Sequence, residues 1–221
     1  MKENKTTLHF ESVSPLLINN LMLLMEEPLL FPFRLVGGTN LSLRYGHRKS
    51  EDIDLFTDAE YGSLNYGKIE EFLRKRFAYF DAPDKSGILA FGRMYYIGLD
   101  PDNAIKLDLM YTDRFLNAPE NIIGIRMASL EEICAMKIEA IVNGGRKKDW
   151  WDIHELLNTF SLKQILGHHA EWQPWTHNTK DILEKLIDFS RVDNDADPVS
   201  LRPIAWDMVK LSIINAVRDY K

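Results

Sequence analysis

Phe33-Arg34-Leu35-Val36-Gly37-Gly38-Thr39, followed after residues 40–49 by Ser50-Glu51-Asp52-Ile53-Asp54-Leu55-Phe56, is the stretch whose reading decides the fold. It reads as an apolar strand (34–36), a glycine turn, a short helix (39–44) ended by Gly46, and a second strand (52–56) bearing two carboxylates. A strand that runs into Gly-Gly lets the backbone approach a ligand closely, because glycine has no Cβ and tolerates positive φ. The N–H groups that open the following helix then face an anion, which makes a phosphate seat. In the second strand Asp52 and Asp54 lie two residues apart and leave the same face, while Ile53 and Leu55 point into a core. That is a seat for a divalent metal.

A third carboxylate is found downstream. Residues 105–111, Ile-Lys-Leu-Asp-Leu-Met-Tyr, alternate, with Ile105, Leu107 and Leu109 on one face and Lys106, Asp108 and Met110 on the other. A lone outer-face aspartate is ordinarily just solvated. Beside Asp52 and Asp54, however, Asp108 completes the oxygen set of a two-metal site, in which two ions about 3.5–4 Å apart orient an attacking oxygen and stabilise a leaving pyrophosphate.

From Ser129 onward strands give way to helices. Ser129-Leu130-Glu131-Glu132 is a capping-box pattern, and the helix it opens runs to about Asn143, where Gly144-Gly145 stops it. Leu130, Ile133, Cys134, Ala140 and Ile141 form its apolar stripe, Glu132 and Glu139 lie opposite, and Lys137 falls in the middle of the stripe. A lysine there aims inward at an anion, either a triphosphate or a buried carboxylate. The next helix repeats the anomaly, since Asp149 shares a face with Ile153, Leu156 and Phe160, and Asp152 borders it. Asp149 is an acceptable N-cap. If it faces inward it needs a partner, because an unpaired buried carboxylate is costly, and Lys137 is the candidate. Trp151 falls off the stripe and reads as packing under a neighbouring segment rather than stacking on a base.

Composition excludes several classes. The chain has 221 residues, 45% of them hydrophobic, ample for a buried core. The apolar run 15–25 contains Asn19 and Asn20 and is too short and polar to span a membrane. No basic segment with a cleavage site precedes it, and the single cysteine, Cys134, allows no internal disulfide, so a cytoplasmic protein is expected. A net charge of −6 argues against a generic nucleic-acid coat. Two local basic clusters remain, Arg44/His47/Arg48/Lys49 and Arg146/Lys147/Lys148. An RNA substrate requires that Arg44, Arg48, Lys147 and Lys148 form one positive surface around the acidic cleft.

The rest of the chain reads more simply. Ser14-Pro15 caps an apolar helix over 16–25. Residues 67–79 carry apolar positions at helical spacing, 88–91 and 94–99 look like a hairpin turning at Gly92-Arg93, and Pro101-Asp102-Asn103 is a further turn. His168, His169 and His177 read as surface residues. Residues 182–189 and 204–217 look helical, separated by the loop Asp193-Asn194-Asp195-Ala196-Asp197-Pro198, which lacks the glycine and terminal glutamate of a calcium loop.

Taken together, Gly37-Gly38-Thr39, Asp52-x-Asp54, Asp108, the Ala135-Met136-Lys137-Ile138-Glu139-Ala140 helix and the Asp149-x-x-Asp152 helix resemble the AbiEii family of nucleotidyltransferases, within the polymerase-beta-like superfamily. The resemblance covers residues 35–157. It implies an α/β (α+β) fold: a small mixed sheet flanked by helices over 1–127, then a helical C-terminal domain over 128–221 that completes the active site. It also implies transfer of a nucleotide from a nucleoside triphosphate, with Mg2+ or Mn2+, to an acceptor hydroxyl. Acceptors considered are tRNA and a protein side chain, and a toxin role implies a cognate antitoxin. By position, Gly37, Gly38 and Thr39, with Arg48 and Ser50, are the expected nucleotide contacts, and Asp52, Asp54 and Asp108 the metal ligands. Lys137 is expected to contact the triphosphate, and Asp149 to support the site or help activate the acceptor. Thr39 stands where the superfamily often has serine, and Lys148 precedes Asp149 where arginine is frequent. The rival readings are a catalytically weak nucleotide-binding interaction module and an enzyme that nucleotidylates a protein.

Overall fold

The computed structural model describes residues 7–83 and 91–220. Seven strands form one mixed sheet: β1 (Arg34–Leu35), β2 (Asp52–Thr57), β3 (Tyr79–Asp81), β4 (Gly92–Asp100), β5 (Asn103–Tyr111), β6 (Glu120–Ile122) and β7 (Ile125–Met127), in the order β3-β4-β5-β2-β1-β7-β6. Among the described residues eight helices accompany it: α1 (Pro15–Glu26), α2 (Gly37–Tyr45), α3 (Tyr66–Arg76), α4 (Leu130–Val142), α5 (Lys147–Leu156), α6 (Leu162–Trp172), α7 (Thr179–Leu186) and α8 (Trp206–Arg218). Among the described residues no helix is long and apolar enough to cross a membrane.

The alternation read in β2 sets the layers. Ile53 and Leu55 are fully buried against α1 and α3, through Leu17, Leu21 and Leu24 and through Ile69 and Leu73, while Asp52 and Asp54 leave the other face. Each such leucine contributes on the order of 2 kcal/mol of transfer free energy. A second apolar cluster gathers the helices from α4 onward around Ile133, Ile138, Trp150, Ile153 and Ile165, and takes in Val36 and Leu41 from the strand–helix unit. The glycine turn therefore lies where the two clusters meet.

Local signals act as expected at several ends. Ser14 Oγ accepts from Leu17 N at 3.1 Å and Pro15 opens α1. Ser129 and Glu132 close a reciprocal capping box on α4. Gly46, at φ 59°, ends α2 in the left-handed region.

Other expectations are corrected. Gly92-Arg93 is not a turn: it begins β4, pairing with Met110 and Leu109, and residues 88–90 of the expected hairpin lie outside the described residues. Glycine is required there because an added Cβ would stand 2.2 Å from the Leu109 carbonyl oxygen. The turn read at Pro101-Asp102-Asn103 is present and joins β4 to β5, with the Asp100 carboxylate accepting from Asp102 N and Asn103 N. Helix α3 stops at Arg76, short of residue 79, because the following residues pair with β4. The short strands β6 and β7 and helix α6 were not expected, although Ser161 and Gln164 form a capping box that announces α6. Glu132 is buried rather than opposite the core, accepting from Ser129 N and Asn117 N beside Arg34. His169 is also buried, with Nε2 2.9 Å from Glu139 Oε2, because α6 packs its histidine face onto α4. Trp151 is buried and stacks on Trp206 of α8 at 5.3 Å.

Candidate active site

Parallel pairing of β2 with β5 sets Asp52 opposite Lys106 and Asp54 opposite Asp108. Neighbouring strands lie about 4.8 Å apart, so Asp54 and Asp108 are forced together on one face. Burial, and then the charges of Asp108 and Asp52, push the Asp54 carboxyl up to about 6. Gly37 leans on the same group. It has φ +67°, and an added Cβ would stand 2.5 Å from Asp54 Oδ2. Gly37→Ala is therefore expected to cost roughly 1–2 kcal/mol in backbone strain and to displace Asp54, lowering any transfer activity at least about tenfold. Urea unfolding alongside a rate measurement checks this, and an alanine variant with wild-type values in both would refute the packing argument.

Behind the turn lies a buried charge network that joins the two halves of the chain. Arg48 donates from Nε to Asp152 Oδ1 at 2.7 Å and from Nη2 to Oδ2 at 2.8 Å. His47 Nε2 lies 2.8 Å from the same Oδ1, and Lys137 Nζ is 2.6 Å from Asp152 Oδ2. Lys137 also donates to Asp149 Oδ1 at 2.7 Å, and Asp149 Oδ2 accepts from Arg146 N at 2.9 Å. Burial alone would raise the Asp152 carboxyl, but the Arg48 and Lys137 charges and the His47 and Arg48 contacts hold it well below the usual range. Lys137 is raised: Asp152 and Asp149 outweigh a burial effect that alone would lower it.

These placements sharpen several expected roles. Lys137 does face inward, and its partners are carboxylates, two of them. Asp149 is the third residue of α5 rather than its N-cap, and pairs with Lys137 as its charge requires. Asp152, read as a border residue, is the fully buried hub. Arg48, expected as a nucleotide contact, is 1% exposed, has its guanidinium turned to Asp152 and Lys49 O, and props the glycine turn from behind. An added Cβ on Gly38 would stand 2.4 Å from its Nη2. Thr39 is likewise buried, donating to the Asp52 carbonyl and lying 2.8 Å from Ser50 Oγ, so the two hydroxyls fasten the turn to β2.

The residues present suit the divalent metal that the resemblance implies. Three carboxylates crowd one face, Asp108 Oδ1 is buried without a hydrogen-bond partner, and Asp54 accepts no side-chain hydrogen bond from a described residue. As the side chains stand, no three acidic or imidazole groups among the described residues enclose an ion. Lysines lie against two of the acids: Lys106 Nζ donates to Asp108 Oδ2, and Lys148 Nζ is 3.6 Å from Asp52 Oδ2.

The four cations that an RNA surface requires are scattered. Arg44 bonds Asn40, Glu120 and the Ala128 carbonyl; Arg48 is in the buried network; only Lys148 stands at the acids. Lys147 is buried and donates to Asp193 O, Asp195 O and Asp197 Oδ1, so its ammonium serves the loop 193–198. That loop leads back to the cleft, where Lys49 N donates to Val199 O at 2.8 Å. A small cleft of about 210 Å³ is lined by Ser50, Glu51, Lys148 and Val199; the three acids are not in its lining, and Lys148 alone links it to Asp52. A larger one, about 570 Å³, around His154 and Ser212 contains none of the acids, so chemistry rather than volume locates the site.

Asp152, His47 and Lys106 carry parts of this arrangement that sequence reading assigned to no role. Lys106 was legible as a neighbour of Asp108 on the outer face of β5. Nothing local in the sequence pairs His47 with a residue 105 positions away.

Residues 23–219 match the family described as nucleotidyl transferase AbiEii toxin, type IV TA system. An uncharacterised protein of Aquifex aeolicus is 35% identical over 141 residues, 60% of this chain and 62% of its own length. The match therefore spans less than two thirds of that relative. Among solved structures, JHP933 from Helicobacter pylori superposes with a TM-score of 0.57 at 21% identity, covering 94% of this chain and 92% of that one. MenT4, a nucleotidyltransferase toxin from Mycobacterium tuberculosis, gives 0.60 at 15% identity, covering 92% and 83%. At these identities the two likenesses are of fold.

Proposed function

The chain belongs to the AbiEii nucleotidyltransferase toxin family, and from that premise we propose that it transfers a nucleoside monophosphate from a nucleoside triphosphate to an acceptor hydroxyl, with Mg2+ or Mn2+. The observation that carries this reading is the register of β2 on β5, which gathers Asp52, Asp54 and Asp108 beneath the Gly37-Gly38 turn. Asp52, Asp54 and Asp108 would hold the metal, which when bound neutralises phosphate charge and acts as a Lewis acid. The first N–H groups of α2 have no intrahelical partners and would receive phosphate oxygens. Lys137 and Asp149, engaged with each other, act as supports that lock α4 and α5 over the turn. In the transfer the acceptor oxygen bonds to the α-phosphorus, the bond from that phosphorus to pyrophosphate breaks, and the acceptor proton passes to a carboxylate and then to solvent. In-line positioning and charge neutralisation supply the rate.

For the acceptor we favour a protein side-chain hydroxyl. RNA affinity depends on phosphate neutralisation, and the four candidate cations serve four separate places in a chain of net charge −6. A toxin role, with a cognate antitoxin, belongs to the same proposal. The test incubates the protein with each α-labelled nucleoside triphosphate, Mg2+ or Mn2+, a soluble proteome and total RNA. Label is expected in protein. Label confined to RNA overturns the acceptor, and no transfer above an Asp54→Ala control overturns the activity.

A further inference from the structure

We infer that Lys106 is the resident counter-cation of the acidic row, and that a divalent metal binds there only by displacing its ammonium from Asp108. The inference rests on the metal-dependent reading above. Parallel register places Lys106 beside Asp52, and alternation along β5 places it on the same face as Asp108, two residues on. Its Nζ donates to Asp108 Oδ2, while Asp108 Oδ1 is buried with no hydrogen-bond partner among the described residues. Lys148 stands 3.6 Å from Asp52, outside hydrogen-bond distance and on another element, and among the described residues no ammonium pairs directly with Asp54.

An ammonium and a divalent ion compete for such a carboxylate because each needs the same oxygen. The ion demands oxygen ligands at about 2.0–2.1 Å for Mg2+, and two cations of combined charge +3 repel at that range. Lys106 has somewhere to go. Its side chain is 31% exposed, so it can turn outward from the sheet toward the space a polyanionic substrate would enter. The lysine thus steadies the crowded carboxylates before the metal arrives and weakens the metal's hold afterwards, which makes it a positioning residue that sets the metal requirement.

The test measures Mn2+ binding alone, by calorimetry on the full chain, for wild type, Lys106→Met and Lys106→Gln, with thermal unfolding in chelator and in Mn2+. Lys75→Met, which removes an exposed lysine paired among the described residues with Glu71, controls for net charge. Both Lys106 variants are expected to bind Mn2+ about tenfold tighter or more, a change of roughly 1.4 kcal/mol. They should unfold at lower temperature than wild type in chelator and gain more from Mn2+. Equal or weaker binding by the Lys106 variants overturns the inference while leaving the metal reading intact. Equal tightening by Lys75→Met overturns it too, by tracing the effect to net charge. If wild type and variants all bind no Mn2+, the metal-dependent reading fails and the inference with it.

Discussion

Asp54→Asn is expected to abolish nucleotidyl transfer, by about 10³-fold or more, and at the same time to make the protein more stable. Both effects come from one placement. The fold half-buries Asp54 and strand register sets it against Asp108, so its carboxyl rises to about 6 from an ordinary value near 3.8. A raised carboxyl is held protonated by the folded chain more tightly than by the unfolded one. Its contribution to stability is therefore fully present below the unfolded value, falls as pH rises through about 4 to 6, and leaves a constant penalty above that window. The penalty is on the order of 2–3 kcal/mol at neutral pH, and asparagine removes the charge at nearly constant shape. Urea unfolding at pH 7.5 in chelator should show the gain, which should shrink toward pH 4. An asparagine variant no more stable than wild type at pH 7.5 would mean that the acid row is not strained by its own charge.

Asp152→Ala should do the opposite to the fold. It removes the carboxylate that receives Arg48, Lys137 and His47, and leaves two buried cations without their main counter-charge. Breaking a buried pair from one side costs about 3–5 kcal/mol. Asp152 is held low, so the stability it contributes is present above the ordinary carboxylate range and is lost as pH falls through its depressed value, the reverse of Asp54. The variant should also lose activity, because Arg48 props Gly38 and Lys137 ties α4 to α5. A loss below about 1 kcal/mol in urea unfolding would show that the network is not what fastens the helices to the sheet. Together the two variants would separate the parts of the proposed site: an acid that strains the fold and is proposed to serve chemistry, and an acid that holds the fold and is proposed to act on chemistry only through position.

Much of this was readable without coordinates. Period-two alternation in residues 52–56 and 105–111, the glycine turn and the Ser129 capping box are each written in a few adjacent residues, where backbone sterics and side-chain direction suffice. Even the misfit of Lys137 and Asp149 on apolar helix faces signalled that each needs an inward partner, with Lys137 the candidate for Asp149, because a buried charge has no inexpensive alternative. The assignment of cations to anions was not readable. Arg48 was expected at the nucleotide, and Lys147 was one of four cations that an RNA substrate would need on one surface; the structure gives the first to Asp152, 104 residues away, and the second to the loop of Asp193, Asp195 and Asp197.

The sequence by itself determined the strand–turn–strand core, the three acids and the inward lysine, since these follow from local periodicity and from the cost of misplacing a charge. Only the tertiary structure decided which carboxylate is a hub, which lysine guards the acid row and whether the basic residues form a surface. An ion pair is set by where helices dock and strands register, and sequence spacing does not encode those distances.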